Sequence, residues 1–315
     1  MFTYVELSDS IIFLFTGDKN MAKVIYSTEG QFVLSVFKTF SEDSLAFAKD
    51  IDNIYYAYRT CYSDNPFDLD PSLIKKDKLK AYFIDHLWKT QYVNTVFDSA
   101  DNYAITYYPT PNSKRSCKLT AKNFVRNVSK YVDSLAAKYG ENKFYDYLYK
   151  CWFINAHKEH ESPIEHAILT YNVFNCSRSL THQLVRHRIA SYSQASQRYI
   201  TEENKDISVI IPEAITKKAK AKKLVTDYLN KLPTLIKQLK DLGIKNEDIR
   251  CIYPNAISTN IVVTMNFREL MHFFKLRMDK HAQREIRELA TVVWDCIVTE
   301  VPFIFDDFID LVKKE

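Results

Sequence analysis

At 315 residues with 46% hydrophobic side chains, the chain is long enough to bury a substantial core in one large domain or two smaller ones. Its 43 basic and 39 acidic side chains leave a formal net charge of only +4, which argues against coating of nucleic acid or of an anionic membrane. No apolar run of about 18 residues is present, and the amino terminus MFTYVELSDS lacks a signal-peptide pattern. We therefore expect a cytoplasmic protein without membrane or nucleic-acid partners.

Cysteine and glycine usage excludes several common binding motifs. The six cysteines stand singly with no C-x-x-C pair, which disfavours a zinc ribbon or a secreted disulfide framework, so most are expected to be reduced structural thiols. The four glycines, at positions 17, 30, 140 and 243, permit neither a G-x-G-x-x-G turn nor a Walker A loop. A nucleotide or a flavin must therefore be held without these phosphate-binding loops.

The amino-terminal part of the chain is predicted to be a small sheet followed by a helix. The β-rich runs TYVEL, IIFLF, KVIYS and QFVLSVFKTF are separated by polar or glycine-containing breaks. From residue 41 the period changes, and apolar side chains recur at helical spacing through residue 62, as at Ile51, Tyr55 and Tyr58. We assign residues 1–62 to the core of the fold.

Residues 63–150 are the hardest part of the chain to interpret and are predicted to be an insertion or a helical subdomain. They contain an amphipathic piece, DKLKAYFIDHLWKT, and a helix predicted from AKNFVRNVSKYVDSLAAKY. A further helix, FYDYLYKCWFINAH, follows Gly140 and continues into the last segment, residues 151–315.

The last segment begins with a predicted strand and a capped helix. AILTYNVF, residues 167–174, has β-branched and aromatic character, and Ser177 is placed to cap a helix through RSLTHQLVRHR. On that helix Leu180 and Leu184 are expected to face inward, with Gln183, Arg186 and His187 on a different side. IASYSQASQRY, which follows, is too polar for a core helix and is predicted to be a loop that binds a ligand.

The carboxyl-terminal third is predicted to alternate helices with one strand. A Lys-rich amphipathic helix is expected to break at Pro233 and to end near Gly243. NIVVTM is a predicted strand, NFRELMHFFKLR a helix, and KHAQREIRELATVVWDCIVTEVP a long helix with one buried face. A solvated face is favoured over a nucleic-acid contact for the lysine cluster Lys217, Lys218, Lys220, Lys222 and Lys223.

Arginines are concentrated in the run QLVRHRIASYSQASQRY. Arg186, Arg188 and Arg198 stand there among hydroxyl and amide side chains, and arginine binds phosphate or carboxylate through a planar fork of donors. The alternative is a solvated basic turn. Arg277 lies where a helix is expected to end, with Asp279 ready to cap the next one, and the boundary before CIYPNAIST carries a further arginine.

The histidine cluster HKEHESPIEH does not predict a metal site. The helical H-E-x-x-H arrangement is absent, and Pro163 prevents one continuous helix from aligning His160 with His166. A covalent mechanism is also disfavoured, because Ser196 lacks a G-x-S-x-G elbow and no acid is placed to orient His187. A hydroxyl among arginines is better explained as a phosphate ligand.

Four motifs in order resemble the flavin-dependent thymidylate synthases, the ThyX family. Arg186-His187-Arg188, separated by seven residues from Ser196, matches the family signature. HESPIEH, EDIRCIYP and NFRELMHFFKLRMDKHAQREI resemble three further family blocks, with a weaker similarity in YAYRTCYS. The resemblance implies an α/β fold with a mixed sheet and long helices, a catalytic core in residues 151–315, and a homotetramer with shared active sites.

The resemblance also implies a ligand for each matching residue. Arg277 would be catalytic, lying against the uracil ring of dUMP and favouring ionised N3. FAD would be bound by His160, Ser162, Arg186, His187, Arg188, Gln194, Asn266, Arg268 and His272. dUMP would be bound by Gln183, Gln194, Ser196, Gln197, Arg198, Arg250 and Arg277. Methylenetetrahydrofolate would supply the one-carbon unit that becomes the methyl group of dTMP, and NADPH would reduce the flavin.

One position departs from the family pattern. The family has a glutamate where this chain has Gln194, and glutamine keeps an acceptor and adds a donor but carries no charge. Activity is still expected because the arginines are present. The alternatives are a flavin- or nucleotide-binding homologue with lost or altered catalysis, and an RNA-binding protein that uses the Lys-rich helix.

Overall fold

The computed structural model describes residues 4–5, 24–28, 33–36, 45, 47–62, 74–90, 95–97, 103–105, 121–197, 207–298 and 300–312. Its strands are β1 (Tyr4–Val5), β2 (Val24–Thr28), β3 (Val33–Val36), β4 (Thr95–Phe97), β5 (Tyr103–Ile105), β6 (Ile168–Ser177), β7 (Ala190–Gln194), β8 (Ile207–Ile211) and β9 (Ser258–Asn266). Its helices are α1 (Ala48–Tyr62), α2 (Lys76–Thr90), α3 (Ala121–Tyr139), α4 (Glu141–Ala156), α5 (Arg178–Leu184), α6 (Glu213–Thr216), α7 (Ala219–Leu229), α8 (Leu232–Asp241), α9 (Asn246–Ile249), α10 (Phe267–Arg277), α11 (Arg284–Val298) and α12 (Ile309–Val312). The predicted α/β fold class is confirmed.

The main sheet has the order β1-β3-β6-β9-β7, and the pairs along it are antiparallel. Its centre is the long pair β6–β9, in which Tyr171 lies opposite Val263. Buried residues alternate along both strands, as Leu169, Tyr171 and Val173 do on β6, because one face of the sheet packs against the helices. Because the pair is antiparallel, α5 and α10 begin at its opposite ends, and their carboxyl ends meet where Arg277 contacts Gln183.

The amino-terminal strands do not form one small sheet of their own, so that prediction is wrong. β1 and β3 extend the main sheet through β6, whereas β2 pairs in parallel with the distant strand β8. IIFLF lies outside the described residues. Strand propensity identifies extended segments, but the choice of partner depends on tertiary packing.

Helices pack against the main sheet and form the large core with it, while β8 and helices α7 to α9 enclose a second, smaller hydrophobic cluster. Helix α1 begins at Ala48, later than predicted, and buries Ile51, Ile54, Tyr55 and Tyr58 against α4 and the 3-10 turn Ser162–His166. Helices α2, α3 and α4 occupy segments that the sequence predicts to be helical, and α4 begins directly after Gly140, whose φ is 87°. The division of the chain at residues 62 and 150 stays a prediction.

Two predictions around residues 178–199 need correction. Ser177 does cap α5, since its hydroxyl accepts from the Leu180 N–H at 3.0 Å, but the helix ends at Leu184 and does not continue through Arg188. The predicted loop contains the strand β7, because β9 offers it a free edge and its side chains alternate between half-buried and exposed. The Tyr192 hydroxyl lies 2.8 Å from the Leu184 carbonyl oxygen and 2.7 Å from that of His187, so its single proton is shared between two backbone acceptors where α5 ends.

The carboxyl-terminal third follows the predicted order with shifted boundaries. The Lys-rich segment breaks into α6, α7 and α8, with Pro233 in the first turn of α8 and Gly243 at φ 82° just after it. Its five clustered lysines are exposed, as expected. Helix α11 begins at Arg284. Asp279 does not cap it, because its carboxylate accepts from the His281 N–H and closes a turn before the helix. None of the described helices combines the length and apolar composition needed to cross a bilayer.

Candidate active site

Helix α10 carries the centre of the site on one face. Glu269, His272, Phe273 and Arg277 recur at spacings of three and four residues, which brings them onto the same side of the helix. The helix begins at Asn266, whose side-chain oxygen accepts from the Glu269 N–H at 2.8 Å. As predicted, it ends at Arg277.

His187 lies in the turn after α5 and packs against that face. Its Nδ1 is 2.8 Å from Glu269 Oε1, and its Nε2 is 3.0 Å from Arg277 Nε. The expectation that His187 stands on a different side from the buried leucines is wrong, because the helix has ended and the ring, 2% exposed, turns into the core beside Phe273. Burial lowers the pKa of His187, opposed by the hydrogen bond to Glu269 and reinforced by the charge of Arg277.

Arg277 is held in one orientation by two different acceptors. Besides the contact with His187, its Nη2 donates to the backbone oxygen of Gln183 at 3.1 Å. Burial lowers the pKa of Arg277, an effect that Tyr192 opposes. No carboxylate contacts this guanidinium within the described part of the chain, so its charge is not neutralised by an ion pair. The remaining N–H groups of its fork stay available to a ligand.

Gln183 and Gln194 lie on neighbouring elements of this site. The Gln183 side chain donates to Gln283 Oε1, which connects α5 to the residues just before α11. The Gln194 amide donates to Thr181 Oγ1 at 2.9 Å and lies 3.4 Å from Thr259 Oγ1. The Gln194 amide is therefore engaged between α5 and β9 through donors that a carboxylate lacks.

Arg178, which the sequence motifs do not indicate, lies at the end of β7 and is within electrostatic reach of Arg250. Arg178 Nη2 donates to the Ala195 backbone oxygen at 2.7 Å. Burial and the nearby charge of Arg250 lower the pKa of Arg178, and its buried Nε has no hydrogen-bond partner within the described residues. Ser196 and Gln197 follow directly and are half-buried. Such a pair of cations suits an anionic ligand.

The remaining members of the predicted phosphate cluster are exposed or lie outside the described residues. Arg186 and Arg188 are exposed in the turn beside His187, and over the described ranges no carboxylate pairs with either guanidinium. Arg198 lies outside the described residues. The sequence could not reveal Arg178 because its contact with the backbone of Ala195 depends on how α5 packs beside β7.

The other predicted flavin ligands lie toward the amino-terminal end of α10. His160 stacks on Tyr62 with ring centroids 4.4 Å apart, and Ser162 is exposed in the adjoining 3-10 turn. Arg268 forms ion pairs with Glu161 at 2.8 Å and with Glu165 at 2.5 Å. A helix rises about 1.5 Å per residue, so all the predicted ligands from Asn266 to Arg277 are spread over about 16 Å.

One cluster of described residues has the spacing of a metal site. Ligand atoms of His187, Glu269 and His272 all lie within 4.8 Å of one another. However, Nδ1 of His187 is engaged by Glu269 and Nε2 by Arg277, whose positive charge opposes a cation. The arrangement is better described as a hydrogen-bonded chain that ends on an arginine.

The fold and the site together define a mixed α/β protein with arginines near α5, β7 and α10. Comparison with known proteins identifies its family. The model for the thymidylate synthase complementing protein family, Thy1, matches residues 105–303. A flavin-dependent thymidylate synthase of Geobacter sulfurreducens is 36% identical over 198 residues, covering 63% of this chain and 83% of that protein. The chain therefore belongs to the Thy1 family, which confirms the resemblance to ThyX proteins.

Other similarities cover less of the relatives or of this chain. The Pyrococcus furiosus flavin-dependent thymidylate synthase is 50% identical over 133 residues, or 42% of this chain, and the match spans about half of that relative, 54% of its length. The structure of ThyX from Helicobacter pylori with FAD and dUMP covers 50% of this chain and 82% of that protein at 24% identity, with a TM-score of 0.43.

Proposed function

We propose that the chain is a flavin-dependent thymidylate synthase that converts dUMP to dTMP, with methylenetetrahydrofolate as the one-carbon donor and FAD reduced by NADPH. Relatives in Geobacter sulfurreducens and Pyrococcus furiosus carry this name. The observation that carries the proposal is the Arg277 guanidinium, which is oriented by His187 and Gln183 and has no carboxylate partner among the described residues. A cation held in this way suits a ring on which negative charge develops.

The phosphate of dUMP would lie at the paired arginines. Arg178 and Arg250 repel one another where they stand, and a phosphate between them would replace that repulsion with charge-assisted hydrogen bonds worth about 1.5 to 3 kcal/mol each. Ser196, Gln197 and Arg198 are proposed to complete this subsite. Gln183 and Arg277 would then face the uracil ring, with Arg277 favouring its N3-ionised form.

The donor set of the chain also fits FAD. Arg186 and Arg188 present exposed guanidinium groups beside His187, and no described carboxylate neutralises them, as a pyrophosphate-binding pair requires. When bound, the flavin would supply the hydride that reduces the transferred one-carbon unit to a methyl group. His160, Ser162, Gln194, Asn266, Arg268 and His272 are proposed as its further contacts.

Arg277 would act on the pyrimidine through its charge and its fixed direction. Its Nε and Nη2 are already engaged, so the guanidinium need not reorganise when charge develops on the ring. Its half-buried position strengthens the electrostatic interaction with the substrate. The uracil ring could then be activated without a covalent cysteine adduct.

We further propose a homotetramer in the cytoplasm with active sites shared between subunits. Of the predicted flavin ligands, Asn266 and Arg268 lie at the amino-terminal end of α10, whereas His187 contacts Arg277 at its carboxyl end. Arg186 and Arg188, on either side of His187, are exposed. A second subunit would close a site of this extent over the flavin. The folate and dUMP are the proposed small-molecule partners.

The experiment is a flavin spectrum followed by an activity assay. Purified protein is expected to be yellow, or to become so with added FAD, and to release tritium from C5-labelled dUMP when methylenetetrahydrofolate and NADPH are supplied. Colourless protein that takes up no FAD would overturn the proposal. Tight dUMP binding in calorimetry without methyl transfer would instead identify a nucleotide-binding homologue that has lost catalysis.

A further inference from the structure

Glu269 is a buried acid that the proposed ligand contacts leave unexplained. Its side chain is 6% exposed, and burying a carboxylate is costly unless hydrogen bonds or opposite charges compensate. The sequence N-F-R-E at residues 266–269 has the form of a capping box, in which such a glutamate reaches back to the N-cap backbone N–H. Here Asn266 does cap the helix, but Glu269 Oε1 contacts His187 Nδ1. A capping role therefore does not account for the carboxylate.

The hydrogen bonds from Glu269 to Arg277 have a fixed direction. A guanidinium has donors only, so His187 Nε2 must accept from Arg277 Nε. The proton of the neutral imidazole then resides on Nδ1 and is donated to Glu269 Oε1. The opposite tautomer would place a donor against Arg277 and a bare nitrogen against the carboxylate, so both hydrogen bonds would be lost.

We propose that Glu269 is a positioning residue for Arg277 that acts through His187. Its carboxylate selects the tautomer with the proton on Nδ1, which keeps Nε2 as the acceptor that aims the guanidinium toward the substrate. The role of Arg277 in turnover rests on the proposed function, whereas the hydrogen-bonded chain rests on the geometry alone. The other titratable groups around His187 are His272 on α10 and Tyr192, whose hydroxyl donates to the His187 carbonyl.

Substitution of Glu269 by leucine and by glutamine tests the proposal. Glu269→Leu removes the acceptor and is expected to lower kcat about tenfold or more, since misplacing a reacting group by about 1 Å can cost about a hundredfold. Glu269→Gln keeps an oxygen that accepts from Nδ1–H and should retain most of the turnover. The KM for dUMP should change less than kcat in both. Asp295→Asn, which alters another buried acid on α11, is the matched control and should leave kcat unchanged.

A double-mutant cycle separates positioning from general stability. In an Arg277→Lys background the Nε donor is absent, so adding Glu269→Leu should lower kcat by less than about twofold. An equal fold-loss in both backgrounds would show that Glu269 does not act through Arg277, and a glutamine variant as impaired as leucine would also overturn the proposal.

A crystal structure of Glu269→Leu gives a readout that is independent of activity. We expect the contact between His187 Nε2 and Arg277 Nε, now 3.0 Å, to be lost. Its retention in the variant would refute the positioning role even if the wild-type protein proved inactive. Inactive wild-type protein would by itself refute only the proposed function.

Discussion

The arginines at the two ends of α10 are held in opposite ways. Arg277, at the carboxyl end, is half-buried and bonded to a neutral imidazole and a backbone carbonyl. Arg268, at the amino end, is exposed and paired with Glu161 and Glu165. The first guanidinium has no carboxylate partner among the described residues, whereas the charge of the second is compensated by two glutamates. Motif similarity assigns ligands to both, and the packing shows why their contributions should differ.

The largest expected effect is at the carboxyl end. Arg277→Ala should leave FAD bound and reduce turnover by about a hundredfold or more, because it removes the preorganised cation beside the ring. Tritium release from labelled dUMP measures the loss, and the flavin spectrum measures cofactor retention. Lys275→Ala, an exposed cation on the same helix, is the control and should behave as wild type. Unchanged turnover in Arg277→Ala would contradict the proposal that Arg277 contributes more to catalysis than Arg268.

The next largest effect is expected at the arginine that the motifs did not include. Arg178→Ala should weaken dUMP binding about tenfold to a hundredfold, the equivalent of one charge-assisted hydrogen bond. Calorimetric titration with dUMP measures it, and Lys217→Ala removes an exposed cation elsewhere as a control. If Arg178→Ala binds dUMP as tightly as the wild-type protein does, and deoxyuridine with unchanged affinity, the phosphate of dUMP does not contact Arg178.

A smaller effect is expected from pH, and it is specific to the His187 end. The pKa of His187 in the folded protein lies below the usual 6.5, so the unfolded chain takes up the proton first as pH falls. Above about pH 6.5 the titration of His187 therefore does not reduce the free energy of unfolding, and below that pH the free energy of unfolding declines. Denaturant unfolding at several pH values measures the slope. His187→Gln should reduce the slope of the unfolding free energy against pH. An unchanged slope in this variant would show that other groups cause the pH dependence.

The smallest effect is expected at the amino end. Arg268→Ala removes two exposed ion pairs, which should lower the unfolding free energy by no more than about 1 kcal/mol. At saturating FAD its turnover should stay close to wild type. Arg284→Ala, another exposed arginine paired with glutamates, is the matched control. Loss of turnover at Arg268 comparable to that at Arg277 would contradict the contrast between the two ends.

Much of the fold could be predicted because its signals are local. The helices α3, α4 and α10 follow apolar spacing and capping residues within their own segments, and β6 and β9 follow β-branched composition. The sequence predicts a loop over β7 because the segment is too polar and too rich in serine for a core helix, and only the edge of β9 makes it extended. The parallel partner of β2 lies in β8, which no local pattern indicates.

By itself, the sequence determined the arginine-rich run and the resemblance to a family, and through that resemblance the fold class, because motif order and spacing are properties of the chain alone. Only the tertiary structure decided that His187 is buried, that Glu269 fixes its tautomer, and that Arg178 lies near Arg250. Each of these results depends on contacts between segments far apart in the chain. Burial and a single available acceptor select the protonation state and orientation of a side chain. Neighbouring residues in the sequence determine neither its burial nor its acceptor.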